Sequence, residues 1–152
     1  MSAVYADTSA LSSLYLLDEG DAAHVAELLA QANVVTSELT KVEVASSLAR
    51  AHRDRRIDAA TLENALQAFD GHVDNDGPIT VLPLGQETFR RARSFVLSTR
   101  VRTLDALHLA SARNLALATG EEVQVLTRDR RQAEAAVALG LPLHPGSALA
   151  EP

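Results

Sequence analysis

The sequence predicts an α/β fold in which a central, mostly parallel sheet of about five short strands is covered by helices on both faces. Short apolar runs alternate with longer amphipathic stretches along most of the chain, and no repeat, low-complexity tract or linker interrupts this alternation. The length of 152 residues suits one domain. We therefore expect a single domain over residues 1–145 and a short, frayed C-terminal tail over residues 146–152.

The N-terminal half is predicted to open with a strand, because apolar residues precede the first acid of the chain. Helices follow where apolar residues recur every three or four positions. Thr36 or Ser37 is expected to cap the longest of these helices, which should end near Arg55. In chain order, the predicted elements are a strand at 3–6, helices at 9–17 and 21–33, a strand at 34–35, and helices at 38–55 and 58–73.

The C-terminal half begins with a predicted turn at residues 74–78, which read Asp-Asn-Asp-Gly-Pro. One of its helices should be capped by Thr103 and stopped near Gly120. Another should turn Phe89 and Phe95 toward the core. In chain order, the predicted elements are a strand at 79–83, helices at 87–99 and 104–118, a strand at 123–127, a helix at 130–139 and a last strand at 141–143.

The composition excludes several kinds of site. The chain contains no cysteine, so disulfides, zinc–thiolate sites and thiol nucleophiles are ruled out. Apolar residues make up 47% of the chain and aromatic residues only 3%, which predicts an aliphatic core. The N-terminus does not resemble a signal peptide, and no apolar run is long enough to span a bilayer. We expect a cytoplasmic protein that does not associate with membranes.

Two acids follow predicted strands and precede predicted helices. These are Asp7 and Asp129, and the simplest interpretation of each is a helix cap that accepts a backbone N–H. In an open parallel sheet, however, the carboxyl ends of the strands border the crevice where ligands bind. The position of both acids therefore fits a functional crevice as well as a cap.

Two further acids lie on predicted helices. Glu43 shares a polar face with Ser46, Ser47 and Arg50, where a solvated glutamate needs no function. Asp105 is different, because it lies in a helix that is apolar almost all round. A carboxylate among Leu and Ala is costly to desolvate unless a cation or hydrogen-bond donors meet it. This favours a cation-binding or catalytic role for Asp105.

Carboxylates that converge in one crevice repel each other and raise each other's pKa. A bound divalent cation removes that repulsion. Because the candidate ligands are oxygen atoms, and cysteine and paired histidines are absent from the pattern, the sequence favours Mg²⁺, with Mn²⁺ as a substitute, over zinc. The five histidines show neither metal-ligand nor catalytic-triad spacing, and His108 fits a packed helix residue beside the acidic face.

Four segments together resemble the PIN-domain ribonucleases, and specifically the VapC toxins of bacterial type II toxin–antitoxin pairs. They occur in the family's order over nearly the whole chain: Asp7-Thr8-Ser9-Ala10-Leu11, residues 36–45 (TSELTKVEVA), residues 102–110 (RTLDALHLA) and Leu126-Thr127-Arg128-Asp129-Arg130. The resemblance implies a PIN-like fold and an Mg²⁺-dependent endoribonuclease that hydrolyses RNA phosphodiester bonds with a metal-activated water. It also implies a toxin that binds a small DNA-binding, VapB-like antitoxin and forms a homodimer.

The resemblance assigns roles to individual residues of this chain. Catalysis and metal binding are carried over to the four acids, which are Asp7, Glu43, Asp105 and Asp129. Ser9 and Thr127 match polar positions close to the site. Although the net charge is −6, arginines occur in clusters that suit phosphate contacts, and Arg50 on the Glu43 face is predicted to bind an RNA phosphate.

Other classes of function make different demands on the sequence. A haloacid-dehalogenase-type phosphatase needs a second aspartate two residues after the first, and position 9 is Ser. A module that only binds an antitoxin-like partner would not need all four acids. A DNA-processing nuclease of the same superfamily would carry added helices for which this chain has no room. A nuclease that processes RNA without a toxin role stays open.

Overall fold

The computed structural model describes residues 2–16 and 22–149. Within these residues, four strands alternate with seven helices. In chain order they are β1 (Ala3–Ala6), α1 (Thr8–Leu16), α2 (Ala22–Gln31), β2 (Asn33–Ser37), α3 (Glu38–Arg53), α4 (Ala59–Val73), β3 (Thr80–Leu82), α5 (Gln86–Ser98), α6 (Thr103–Thr119), β4 (Val123–Leu126) and α7 (Arg130–Ala138).

The described strands form one parallel sheet in the order β3-β2-β1-β4. The predicted fold class is confirmed, but the predicted strand at 141–143 is reduced to a single parallel bridge between Leu143 and Val125. Pro142 and Pro145 flank this bridge and have no N–H to donate, so the ladder cannot extend. Because the ends of β1 and β4 are neighbours in the sheet, the residues that follow them lie side by side.

Both faces of the sheet are covered by helices, as predicted. Side chains alternate along β1, so Val4 packs into one core layer and Tyr5 into the other. The first layer is closed mainly by α1, α3 and α4, and the second by α5, α6 and α7. The expectation of an aliphatic core is wrong at three positions, because Tyr5 and Phe69 are fully buried and Phe95 is also part of the core. No helix in the described part of the chain is long and apolar enough to cross a membrane.

Several element boundaries differ from the prediction. The helix predicted at 21–33 ends at Gln31, and β2 runs from Asn33 to Ser37 instead of covering only residues 34–35. Ser37 is the N-cap of α3 but makes no side-chain cap hydrogen bond. Arg102, rather than Thr103, precedes α6 as its N-cap, whereas Gly120 ends α6 in the left-handed conformation as predicted. Residues 17 and 21, which bound two predicted helices, lie outside the described residues.

The side chain of Phe89 and the segment after Pro145 also differ from the prediction. Phe89 is 53% exposed, because α5 buries the stripe of Thr88, Ala92 and Phe95, and Phe89 lies one position away from it. The expected fraying after Pro145 is wrong for residues 146–149. Ser147 is buried there, donates from Oγ to the Val125 carbonyl and accepts from the Thr127 N–H. This segment thus supports the end of β4.

Candidate active site

A cleft of about 820 Å³ opens beside the carboxyl ends of β1 and β4. All four sequence-predicted acids line it, because Asp7 follows β1, Asp129 follows β4, and α3 and α6 bring Glu43 and Asp105 alongside. Its lining residues are Asp7, Thr8, Ser9, Ser12, Leu39, Val42, Glu43, Ser46, Ser47, Arg50, Arg102, Thr103, Leu104, Asp105, His108 and Asp129.

Asp7 is the most deeply placed of these acids, with only 4% of its surface exposed. Its Oδ1 accepts hydrogen bonds from Ser9 Oγ at 2.7 Å and from the Ala10 N–H at 3.0 Å, and its Oδ2 accepts from Thr127 Oγ1 at 2.5 Å. Burial raises the pKa of the Asp7 carboxyl above its usual value, although these hydrogen bonds act in the opposite direction. All three donors are uncharged, so a cation placed in the cleft would stabilise this carboxylate strongly.

Ser9 and Thr127 join the loop after β1 to the loop after β4. Ser9 Oγ lies 3.1 Å from Thr127 Oγ1 and accepts from the backbone N–H groups of Arg128 and Asp129. Thr127 Oγ1 also accepts from the Asp129 N–H at 3.1 Å. The two hydroxyls therefore contact Asp7 on one side and fix the backbone of Asp129 on the other.

Glu43 is held by a chain of buried polar groups. Its Oε1 accepts from Thr8 Oγ1 at 2.7 Å and from His108 Nε2 at 2.6 Å, while His108 Nδ1 lies 2.8 Å from the Tyr5 hydroxyl. With Tyr5 donating to Nδ1, the imidazole proton sits on Nε2 and points at Glu43. Burial tends to raise the pKa of Glu43, but the hydrogen bonds from His108 and Thr8 outweigh it and hold the pKa below its usual value.

Arg102 lies between the two remaining acids. Its Nε is 3.3 Å from Asp105 Oδ2, and another of its guanidinium nitrogens is 3.7 Å from Asp129 Oδ2. Burial raises the pKa of Asp105, and the Arg102 charge opposes that shift. Asp129 also caps α7, because its Oδ1 accepts from the N–H groups of Arg131 and Gln132. The cap interpretation of Asp129 and its place in the cleft therefore both hold.

Arg50 lies in the last turn of α3, where it lines the same cleft. Its side chain is exposed, and it makes no ion pair with any described residue. A free guanidinium at the rim of an acidic cleft is suited to an anionic group of a ligand.

The structure thus brings together every residue that the sequence singled out for the site. It also adds three that sequence reasoning did not assign: Thr8 and His108, which orient Glu43, and Arg102, which pairs with two acids. Arg102 had a local signal, since it lies three residues before Asp105 at a helix start. The sequence predicts that His108 is a packed helix residue. It is 3% exposed, yet it also contacts the site.

The donor set can be tested for its fit to a metal ion. The four acids offer only carboxylate oxygens, which suit hard divalent cations, and Asp7 is a buried carboxylate without a cationic partner among the described residues. Within residues 2–16 and 22–149, however, no three acidic or histidine side chains are grouped closely enough to hold one ion as they stand. His108 and Arg102 turn three of the carboxylates toward themselves instead. The chemistry fits a divalent cation, and binding would require these side chains to turn.

Comparison with solved structures identifies similar folds in bacterial proteins. A toxin–antitoxin complex from Klebsiella pneumoniae matches with a TM-score of 0.57 at 17% identity, over 99% of this chain and 98% of that one. VapC20 from Mycobacterium tuberculosis, described as a sarcin–ricin loop cleaving toxin, gives 0.60 at 15% identity over 87% and 94%. FitAcB from Neisseria gonorrhoeae gives 0.58 at 17% identity over 93% and 97%. At these identities the likeness concerns the fold alone.

The sequence itself was also compared with known proteins. A search of curated protein sequences gives no match. The family model of the PIN domain, in contrast, matches residues 4–138, which include all four acids of the cleft and every described helix and strand from α1 to α7. The chain belongs to the PIN domain family.

Proposed function

We propose that this protein is a metal-dependent endoribonuclease and the toxin of a type II toxin–antitoxin pair. The observation that carries the proposal is the convergence of Asp7, Glu43, Asp105 and Asp129 on one cleft in a PIN-domain chain. Isolated caps or solvated acids would not need to share a cleft. The uncharged donors around the buried Asp7 leave its charge for a cation to compensate.

Each side chain of the acidic cleft has its own role in the proposed reaction. Asp7 and Asp105 would hold Mg²⁺ or Mn²⁺, with Glu43 and Asp129 lining the space beside it. When bound, such an ion supplies an activated water and stabilises the charge that develops on the phosphoryl oxygens. His108 and Thr8 orient the Glu43 carboxylate. Arg50 offers a positive charge to an RNA phosphate that the acids would otherwise repel.

The nucleophile is proposed to be water rather than the neighbouring 2′-OH of the RNA. Cleavage through the 2′-OH needs a general acid and base near neutral pKa, commonly two histidines. Of the histidines whose side chains the structure describes, His108 alone lines the cleft, and its two ring nitrogens are engaged with Glu43 and Tyr5. The products should therefore carry a 5′-phosphate and a 3′-OH.

The first test measures RNA cleavage and the ends of the products. Purified protein is expected to cut RNA with Mg²⁺ or Mn²⁺ and not in excess EDTA, leaving 5′-phosphates that permit direct ligation. A single 2′-deoxy residue at the cleaved position should leave cleavage in place, because the 2′-OH is not the attacking group. Full activity in EDTA would refute the metal requirement. Cyclic-phosphate ends, together with loss of cleavage on the 2′-deoxy substitution, would refute attack by water.

The toxin role is supported by two structural neighbours, a toxin–antitoxin complex and a sarcin–ricin loop cleaving toxin. A small VapB-like, DNA-binding antitoxin would inhibit by placing an arginine against the acidic cleft, where a charge-assisted hydrogen bond replaces metal or phosphate. We also propose a homodimer in the cytoplasm. The alternatives are an RNA-processing nuclease without a toxin role and a non-catalytic module that binds the antitoxin.

The toxin role predicts that expression without the partner arrests growth of the host. Co-expression with the protein of an adjacent small gene should restore growth and give a stable complex. The Asp58→Asn variant is the matched control for charge removal, because Asp58 caps α4 outside the cleft and Asn also caps helices. It should arrest growth as the wild type does. Protein that is folded and cleaves RNA but never slows growth would favour the RNA-processing alternative.

A further inference from the structure

A second cleft adjoins the acidic one. It has a volume of about 540 Å³ and lies between the segment that precedes α6 and the outer face of α7. Arg102 and Asp105 line both clefts, so the two clefts lie side by side at this ion pair. The remaining lining residues of the second cleft are Thr99, Arg100, Val101, Arg131, Glu134, Ala135 and Ala138.

The second cleft differs from the first in its charge. Arg100 and Arg131 are exposed, and neither pairs with an acid in the described part of the chain. The two acids of the lining are already neutralised, because Glu134 pairs with Arg130 at 3.2 Å and Asp105 pairs with Arg102 at 3.3 Å. The free charge of this cleft is therefore positive.

The charges at the start of α7 independently favour an anion in the second cleft. Arg130 and Arg131 occupy its first two positions, where the helix dipole disfavours cations. Asp129 compensates through its cap, but its Oδ1 is committed to backbone N–H groups and its Oδ2 faces Arg102. Arg131 is left without a compensating charge, and a phosphate in the second cleft would supply one.

We propose that the second cleft holds phosphates of the RNA strand adjacent to the bond cut in the acidic cleft, with Arg100 and Arg131 as their ligands. This inference rests on the proposed nuclease function and extends it to a path for the substrate. RNA is favoured over an acidic protein segment because the second cleft shares two lining residues, Arg102 and Asp105, with the acidic cleft, and a strand cut in one cleft must extend over the neighbouring surface. The lining contains no aromatic side chain, which fits contact with the backbone rather than with stacked bases.

The test is single-turnover cleavage with Mg²⁺ and excess protein, using labelled single-stranded oligoribonucleotides of mixed sequence. The measured quantity is the protein concentration that gives half the maximal rate, over a range of salt concentrations. The double variant Arg100→Ala/Arg131→Ala should raise this concentration about 10-fold at low salt. The double variant should also have a smaller slope when the logarithm of this protein concentration is plotted against the logarithm of the salt concentration. The expected reduction is about 1.4, because each phosphate contact on a single strand contributes about 0.7 to the slope.

The matched control is the double variant Arg90→Ala/Arg93→Ala, which removes the same two charges from exposed positions of α5 outside both clefts. It should keep the wild-type salt slope. Equal half-saturation and slope in the Arg100/Arg131 variant and the wild type would overturn the inference while the nuclease proposal stands. A wild type that cleaves no RNA would overturn both. An oligo-glutamate peptide that inhibits the wild type but not that variant, with RNA half-saturation equal in both, would assign the cleft to an acidic protein segment.

Discussion

Asp7→Asn is expected to reduce RNA cleavage by about 10³-fold or more and, at the same time, to stabilise the metal-free protein. The loss of rate follows from removing the charge of the most buried carboxylate in the cleft. The gain in stability follows because burying a charged carboxylate among uncharged donors costs free energy on folding. Asn removes this charge, its amide oxygen can still accept from Ser9 and the Ala10 N–H, and its amide NH2 can donate to Thr127 Oγ1 once that hydroxyl turns.

The stability effect should depend on pH with a definite sign. Burial raises the pKa of Asp7 in the folded state above its unfolded value. The folded state therefore holds the proton more tightly, and wild-type stability falls as pH rises from the unfolded pKa through the folded pKa. The difference in Tm between Asp7→Asn and the wild type in EDTA should be positive at neutral pH and should shrink toward about pH 4, the unfolded pKa of an aspartate.

Thermal unfolding at several pH values and single-turnover cleavage measure the two effects separately. Adding Mg²⁺ should raise the Tm of the wild type more than that of the variant, because a ligand that binds only the folded state stabilises it. Asp58→Asn again serves as the control and should retain full cleavage activity. If Asp7→Asn cleaves RNA at the wild-type rate, Asp7 is a structural cap and not part of the chemistry.

The position of the acids was predictable because it follows from topology. Asp7 and Asp129 each come directly after an apolar run that ends at the same edge of a parallel sheet, and this edge could be read from the alternation of strands and helices. Asp105 was conspicuous because a carboxylate in an apolar helix needs a partner. Local sequence and a general rule of chain connection were therefore enough to indicate the position of these acids.

The partners of the acids were not predictable in the same way. His108 and Glu43 are 65 residues apart on α6 and α3, and helical periodicity indicates which face of each helix is buried, not which side chain it will meet. The burial predicted for Phe89 from helical periodicity was also wrong, because a shift of one position around α5 decides whether a side chain faces α6 or solvent. The prediction of a fifth strand at 141–143 was wrong because two prolines limit its pairing with β4 to one bridge.

Asp105→Asn should lower the rate of cleavage about 10³-fold, whereas Asp129→Asn should lower it only about 10- to 100-fold. The two acids share Arg102, but they differ in what else they bind. Asp129 commits Oδ1 to the N-terminus of α7 and presents only Oδ2 to the cleft. Asp105 has no cap bond among the described residues, so its carboxylate is free to turn toward a cation once Arg102 moves.

For stability, Asp129 should matter more than Asp105, which reverses the order expected for activity. Asp129→Ala removes the cap of α7 and should lower the free energy of unfolding by about 1 kcal/mol, while Asp129→Asn retains the cap and should leave it nearly unchanged. Asp105→Asn removes a carboxylate whose pKa burial has raised, so it should not destabilise the metal-free protein. Urea unfolding in EDTA and single-turnover cleavage with Mg²⁺ give both rankings. If Asp129→Asn lost as much activity as Asp105→Asn, the single free oxygen of Asp129 would have to be a full ligand of the metal, and its cap would be incidental to its role.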